Sequence, residues 1–243
     1  MSDLRERLIV ALDVGSAAAA RKMVGELGES VSTYKVGMQL FTAEGPQLVR
    51  DLVSSGKQVF LDLKYHDIPN TVASAVAEAA RLGVTMLTVH ASGGTKMLSA
   101  ASEAARKVNP RLVVLAVSVL TSFSEEDLAP IGVGAALQEQ VVRLSEMALQ
   151  AGCGGVVASA REAPVLRRRL GESFALVTPG VRPTGAGHQD QARVVTPAEA
   201  VAAGASHIVV GRPITGAADP VREAQDILQQ MAETASSRSV VPG

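Results

Sequence analysis

The sequence holds a single cysteine, Cys153, no tryptophan and only two tyrosines. One cysteine excludes an internal disulfide and any multi-cysteine metal site. Its setting, AGCGGVVAS, reads as a buried turn entering a strand, so an inert core thiol is expected. So few aromatic side chains leave no platform for stacking bases. An excess of one charge is also missing: the formal net charge is −1, which supplies no basic field for nucleic acid or an anionic membrane. Any anion must therefore be held locally. No apolar run approaches membrane-spanning length. The N-terminal MSDLRERLIVALD carries no signal-peptide cleavage pattern. A soluble cytoplasmic protein is the expectation. Serines are numerous, yet none sits in a G-x-S-x-G nucleophile elbow.

What the 243 residues do contain is a repeated alternation. Apolar, β-branched runs recur as LIVALD, TYKVG, VFLDLK, MLTVHA, LVVLAVSVL, GVVAS, ALVTPG and HIVVGR. Most lack polar alternation, as parallel strands buried on both faces do. Between them lie alanine-rich segments of helical spacing, such as TVASAVAEAARLG and QEQVVRLSEMALQAG. Several end in glycine, the usual residue just past a helix C-terminus. Eight strand–helix units fit the length, and a single (β/α)8 TIM barrel over residues 1–235 is predicted. Residues 236–243 read as a loose C-terminal tail. An open doubly wound sheet is the weaker alternative, since no G-x-G-x-x-G follows the first strand. The stretch RPTGAGHQDQARVVTP joins strand seven to its helix and is long for a connector, so it reads as a lid.

Polar residues gather where the candidate strands stop. Asp13 ends IVALD, Lys35 lies in TYKVG, Asp62 and Lys64 close VFLDLK, and His90 ends LTVH. Thr121 and Ser122 follow SVL, Pro179 follows LVT, and Gly211 with Arg212 follows IVV. Active sites of this barrel sit at the C-terminal face and draw on many strands. One such residue could be a helix cap; the same placement on most strands points to a site.

The block FLDLKYHDIPNT is the most informative. Asp62 and Lys64 are two apart and should project to the same side of their strand. An isolated buried charge is very costly, so an inward carboxylate needs a partner. Opposite charges about 4 Å apart attract by roughly 4 kcal/mol at an effective dielectric near 20. Lys35 on the adjacent strand offers a second cation, and the set Lys35, Asp62, Lys64 and Asp67 is formally neutral without a metal. A charged ammonium between carboxylates is a proton donor; a structural ion-pair network closing the barrel is the alternative. In IVVGRP, the glycine lets a phosphate approach backbone N–H groups while Arg212 grips its oxygens. Arg182 ends strand seven and Gln191 lies in the lid, so both could converge on that phosphate. The histidines are weaker candidates: His66 fills the charged loop, His90 reads as pocket wall or core, His188 as lid surface, and His207 precedes strand eight.

In this order, ALDV, YKVG, DLKYHDIPNT, VHASGG, LTS, TPGVRP, DQAR and IVVGRP resemble the orotidine 5′-phosphate decarboxylase family, from about Leu8 to the helix after Asp219. The resemblance implies conversion of orotidine 5′-phosphate to uridine 5′-phosphate and CO2, in de novo pyrimidine synthesis, with neither metal nor organic cofactor. It implies Lys64 as proton donor to C6, Asp62 beside the departing carboxylate, and Lys35 binding ribose and holding Asp62. Asp13 would take a ribose hydroxyl, Thr121 and Ser122 would meet the pyrimidine edge, and Pro179 would belong to the substrate pocket. Arg182, Gln191, Gly211 and Arg212 would surround the phosphate. Asp67, Ile68 and Thr71 would enter a neighbouring subunit's site, which implies a homodimer with shared active sites. Magnesium-dependent sugar-phosphate decarboxylases and synthases of the same superfamily share Asp-x-Lys-x-x-Asp but resemble one another in having glutamate in place of Lys35, where a lysine would repel the ion. A non-catalytic phosphate-binding barrel would have no use for the lysine–carboxylate set.

Overall fold

Short strands in which successive side chains face opposite ways set the architecture. The computed structural model describes residues 4–183 and 195–238. A short helix α1 (Leu4–Arg7) leads into β1 (Leu8–Ala11), α2 (Ala17–Leu27), β2 (Thr33–Gly37), α3 (Met38–Ser54) and β3 (Gln58–Tyr65). There follow α4 (Pro69–Arg81), β4 (Met86–His90), α5 (Gly94–Val108), β5 (Val113–Val117), α6 (Leu137–Gln150) and β6 (Gly155–Val157). The chain continues through α7 (Ala163–Leu170), β7 (Ala175–Thr178), α8 (Pro197–Ala203), β8 (His207–Val210), the one-turn α9 (Arg212–Thr215) and α10 (Pro220–Arg238).

The eight strands are parallel and pair in chain order, and β1 closes on β8 with Leu8 opposite Ile208. All eight expected strands are present, as is the barrel. Burial follows the two-residue period. Ile9, Ala11, Phe60, Met86, Leu115, Val117, Val177 and Val209 pack together inside the barrel. Their neighbours Leu8, Val10, Leu61, Leu87, Val114, Ala116, Ile208 and Val210 pack outward against the helices. In α4 the buried residues are Val72, Val76, Ala79 and Ala80, one stripe of a 3.6-residue helix laid on the strands.

This alternation also orients the polar residues. Tyr34 and Val36 face outward, so Thr33, Lys35 and Gly37 face inward. Phe60 faces inward, and so does Asp62 two residues on. Met86 puts Thr88 and His90 on the same inner face. The charged residues thus cap an apolar barrel interior at the C-terminal ends of its strands.

Helix starts help to place the loops above that end. Ser16 caps α2 by accepting from the Ala19 N–H, and Thr196 caps α8 in a reciprocal box with Glu199. Pro69 opens α4 directly after the charged loop, where its missing N–H costs nothing. Helix α10 runs through Arg238, beyond the Ser236 at which a tail was expected.

Candidate active site

Residues at the ends of three neighbouring strands, β1, β2 and β3, build a chain of alternating charge at the barrel mouth. The Lys35 ammonium donates to Asp13 Oδ1 at 3.0 Å and lies 3.7 Å from Asp62 Oδ2. The other oxygen of Asp62, Oδ1, accepts from Lys64 Nζ at 2.9 Å. Asp13, Lys35, Asp62 and Lys64 are therefore linked in sequence, two carboxylates and two ammoniums. The Lys35 and Asp62 side chains are only 13% and 15% exposed, so these contacts are weakly screened. A Cβ at Gly37 would lie 3.1 Å from Lys35 Nζ, which shows how closely the backbone of β2 approaches this ammonium.

One sequence expectation is corrected here. Within this chain Asp13 joins Lys35, Asp62 and Lys64, while Asp67 stands apart from them. Asp67 is exposed, and its Oδ1 accepts from the Ile68 N–H at 2.6 Å. Strand alternation fails between Asp62 and Lys64, although the two side chains do meet. The register passes from Leu61 opposite Leu87 to Tyr65 opposite Val89, so Asp62, Leu63 and Lys64 stand against Thr88 alone. Lys64 has φ 52°, the left-handed region, and among the described residues it is the one non-glycine there. Such a conformation costs a non-glycine residue roughly 1–2 kcal/mol, and strain of this kind gathers at functional sites.

The sequence pattern gave no reason to single out Thr88, an uncharged residue in the middle of MLTVH. It is fully buried. Its hydroxyl accepts from the Lys64 backbone N–H at 2.9 Å and donates to Asp62 Oδ1 at 2.9 Å. The available signal was positional, a polar residue two before His90 on an inward face.

Beside this chain lies a cleft of about 280 Å³. Asp13, Lys35, Asp62, Lys64, Thr121, Pro179, Arg182, Gly211 and Arg212 all line it. Ala11, Phe60, Val117, Val157 and Val209 form its apolar floor, the upper layer of the barrel interior. Val119, Leu120, Gly180, Val181 and Pro213 complete the walls and were not anticipated. Ser122 is exposed and does not line the cleft, because β5 ends at Val117 and the chain has turned outward by then. Ile68 and Thr71 are exposed beside Asp67 and also lie outside it. Arg182 is buried; its backbone N–H donates to Val195 O at 2.9 Å, next to a bridge between Val181 and Val195 that ties the two ends of the long connector. Gln191, His188 and most of the expected lid fall outside the described residues. Arg212 opens α9 directly above β8.

His90 closes β4 with its ring 5.6 Å from that of His66. Burial, then His66 and the Lys64 ammonium, push the His90 imidazole below its ordinary range, with Asp62 opposing. A neutral imidazole fits this setting, and His90 does not line the cleft. His207 is the first residue of β8, at the opposite end of the barrel. Cys153 is buried, and burial pushes its thiol up to about 11 against a hydrogen bond from Ser102, which leaves it inert.

Known proteins share both sequence and shape with this chain. The model of the Orotidine 5'-phosphate decarboxylase / HUMPS family matches residues 6–227. A protein named orotidine 5'-phosphate decarboxylase from Idiomarina loihiensis is 49% identical, over 93% of this chain and 98% of its own length. One of the same name from Syntrophotalea carbinolica is 52% identical, over 95% of this chain and 96% of its own. The crystal structure of orotidine 5'-phosphate decarboxylase from Lactobacillus acidophilus superposes with a TM-score of 0.84 at 38% identity, covering 93% of this chain and 99% of that one. With its closed eight-stranded barrel and its charged mouth, the chain belongs to the orotidine 5'-phosphate decarboxylase / HUMPS family.

Proposed function

We propose that the chain is a carboxy-lyase that converts orotidine 5′-phosphate to uridine 5′-phosphate and CO2, with Lys64 as the proton donor. The observation that carries this reading is the chain Asp13–Lys35–Asp62–Lys64 at the rim of the cleft. Decarboxylation breaks the bond from C6 to the carboxylate, and its electron pair stays on C6 as CO2 leaves. A fixed ammonium stabilises that developing charge and then gives C6 its proton. Lys64 is held for this by Asp62, and Asp62 in turn lies against the departing carboxylate. Lys35 and Asp13 take the ribose, while Thr121 and Pro179 wall the base. Gly211, Arg212 and Arg182 take the phosphate, at the strand-seven and strand-eight corner where such barrels often hold one.

Lys35 also bears on the magnesium-dependent chemistry of related barrels. Its ammonium stands between Asp13 and Asp62, where a hard cation seeking carboxylate oxygens would meet a like charge. Neither a metal nor an organic cofactor is needed for the reaction proposed.

The reading extends to a homodimer with shared sites, working in the cytoplasm. Asp67, Ile68 and Thr71 are exposed and do not line the chain's own cleft, and Met38 and Ile68, just past the ends of β2 and β3, are 56% and 67% exposed. Large apolar side chains at the mouth favour cover by a second copy. The test of the activity is the loss of orotidine 5′-phosphate absorbance in the presence of EDTA. Turnover unaffected by the chelator is expected; no turnover with or without magnesium would overturn the reading.

A further inference from the structure

Across the bulge in β3, three residues face one. Asp62, Leu63 and Lys64 stand against Thr88, because the pairing jumps from Leu61–Leu87 to Tyr65–Val89. In a regular ladder the Lys64 N–H, like that of Gln58, would point towards β2, and the bulge turns it towards β4 instead. Here it finds the Thr88 hydroxyl, at 2.9 Å. That hydroxyl has one proton, and it goes to Asp62 Oδ1, also at 2.9 Å. Oδ1 thus receives two donors, Thr88 and the Lys64 ammonium, while Oδ2 faces Lys35. Thr88 is 0% exposed, so water does not compete for either bond.

We propose that Thr88 is a positioning residue whose hydroxyl closes this bulge, fixing both the left-handed backbone of Lys64 and the orientation of the Asp62 carboxylate. It touches no reacting atom. Its effect passes through Lys64 and Asp62, and its kinetic consequence rests on the reading of Lys64 as proton donor. One hydroxyl, accepting from one residue and donating to the other, couples the strained turn to the carboxylate. Neither hydrogen bond alone would set the two groups relative to each other. Valine matches the shape of threonine without its donor and acceptor, and it would leave the Lys64 N–H buried and unpaired.

The experiment compares wild type with Thr88→Val, Thr88→Cys and Thr88→Ser. Wild-type turnover of orotidine 5′-phosphate is measured first. In Thr88→Val kcat should fall about 10- to 100-fold, the loss of hydrogen bonds to a charged group. Binding of uridine 5′-phosphate should change less than about threefold, because the phosphate and ribose contacts lie on other strands. Thr88→Ser keeps the hydroxyl and should return kcat to within about threefold of wild type. Thr88→Cys stands in if the valine variant does not fold. A crystal structure of either variant should show Lys64 out of the left-handed region and its ammonium off Asp62. A role in stability alone would lower Tm and leave kcat per folded molecule unchanged, which would overturn the proposal. A kcat loss with Lys64 and Asp62 unmoved would overturn it as well. If the wild type itself fails to turn over orotidine 5′-phosphate, it is the functional reading that falls, and the variant structures alone decide whether Thr88 positions the pair.

Discussion

Between Asp13 and Asp62 the Lys35 ammonium lies 3.0 Å from one carboxylate and 3.7 Å from the other. Removing it would leave Asp62 facing Asp13 with one cation fewer, and a buried carboxylate left with too little positive charge is expensive. Such pairs are local, and residues elsewhere act on stability instead. His207, at the start of β8, is held neutral: burial, with the nearby Arg7 charge adding, lowers its pKa from 6.5 to about 4. The unfolded chain takes up that proton near pH 6.5 and the folded chain only near 4. Stability from the neutral ring is thus complete above pH 6.5 and is lost as pH falls from 6.5 to 4. A shift of this size is worth roughly 3 kcal/mol. Urea unfolding of wild type and His207→Gln should show their stability difference shrinking by about 2 kcal/mol between pH 7 and pH 4.5. A difference that does not change with pH would mean that His207 is not held neutral by the fold.

At the scale of elements, β6 shows how tightly the strands close. A Cβ on Gly155 would run into the Ala175 carbonyl oxygen of β7 and come within 2.7 Å of Ala175 Cβ and 2.8 Å of Leu115 Cδ2. Backbone cannot give way as a flexible side chain does, so Gly155→Ala should destabilise by about 1–3 kcal/mol, read as a lowered midpoint in urea. An unchanged midpoint would contradict the contact. The eight strands were legible in the sequence because each is a short apolar run bounded by turn residues, and glycines such as Gly83 and Gly152 mark where helices stop. Their positive φ, 83° and 93°, is why glycine stands there. The bulge in β3 was not legible. FLDLKY reads as continuous strand, and only the pairing with β4 reveals the two extra residues. For the same reason Thr88 passed unnoticed, whereas Asp62 and Lys64 announced themselves as charges in an apolar run. Asp13 was legible as a site residue, but its contact with Lys35 needed the pairing of β1 with β2, which sets Ala11 opposite Lys35.

For the molecule as a whole, the exposed run from His66 to Ile68 raises the question of what completes the site. Asp67 sits three residues past Lys64, yet its side chain stays outside the charged chain of its own barrel. If it serves the partner's site, Lys64→Ala and Asp67→Asn proteins, each nearly inactive, should complement one another when refolded together. Random pairing of equal amounts makes about half the dimers mixed, each with one doubly mutated and one intact site under two-fold symmetry. About a quarter of all sites should then recover native activity. A mixture as inactive as its parents, with mixed dimers shown to form, would mean that each site is built from one chain.

In the proposed reaction the ammonium at the end of β3 donates the proton to C6. The decisive variant is Lys64→Ala, assayed for turnover of orotidine 5′-phosphate and for binding of uridine 5′-phosphate in the same preparation. Loss of a proton donor and of charge stabilisation together predicts a fall in kcat of about 10⁴-fold or more, with uridine 5′-phosphate still bound through its phosphate. A folded Lys64→Ala protein that binds the product and turns over within tenfold of wild type would contradict the claim.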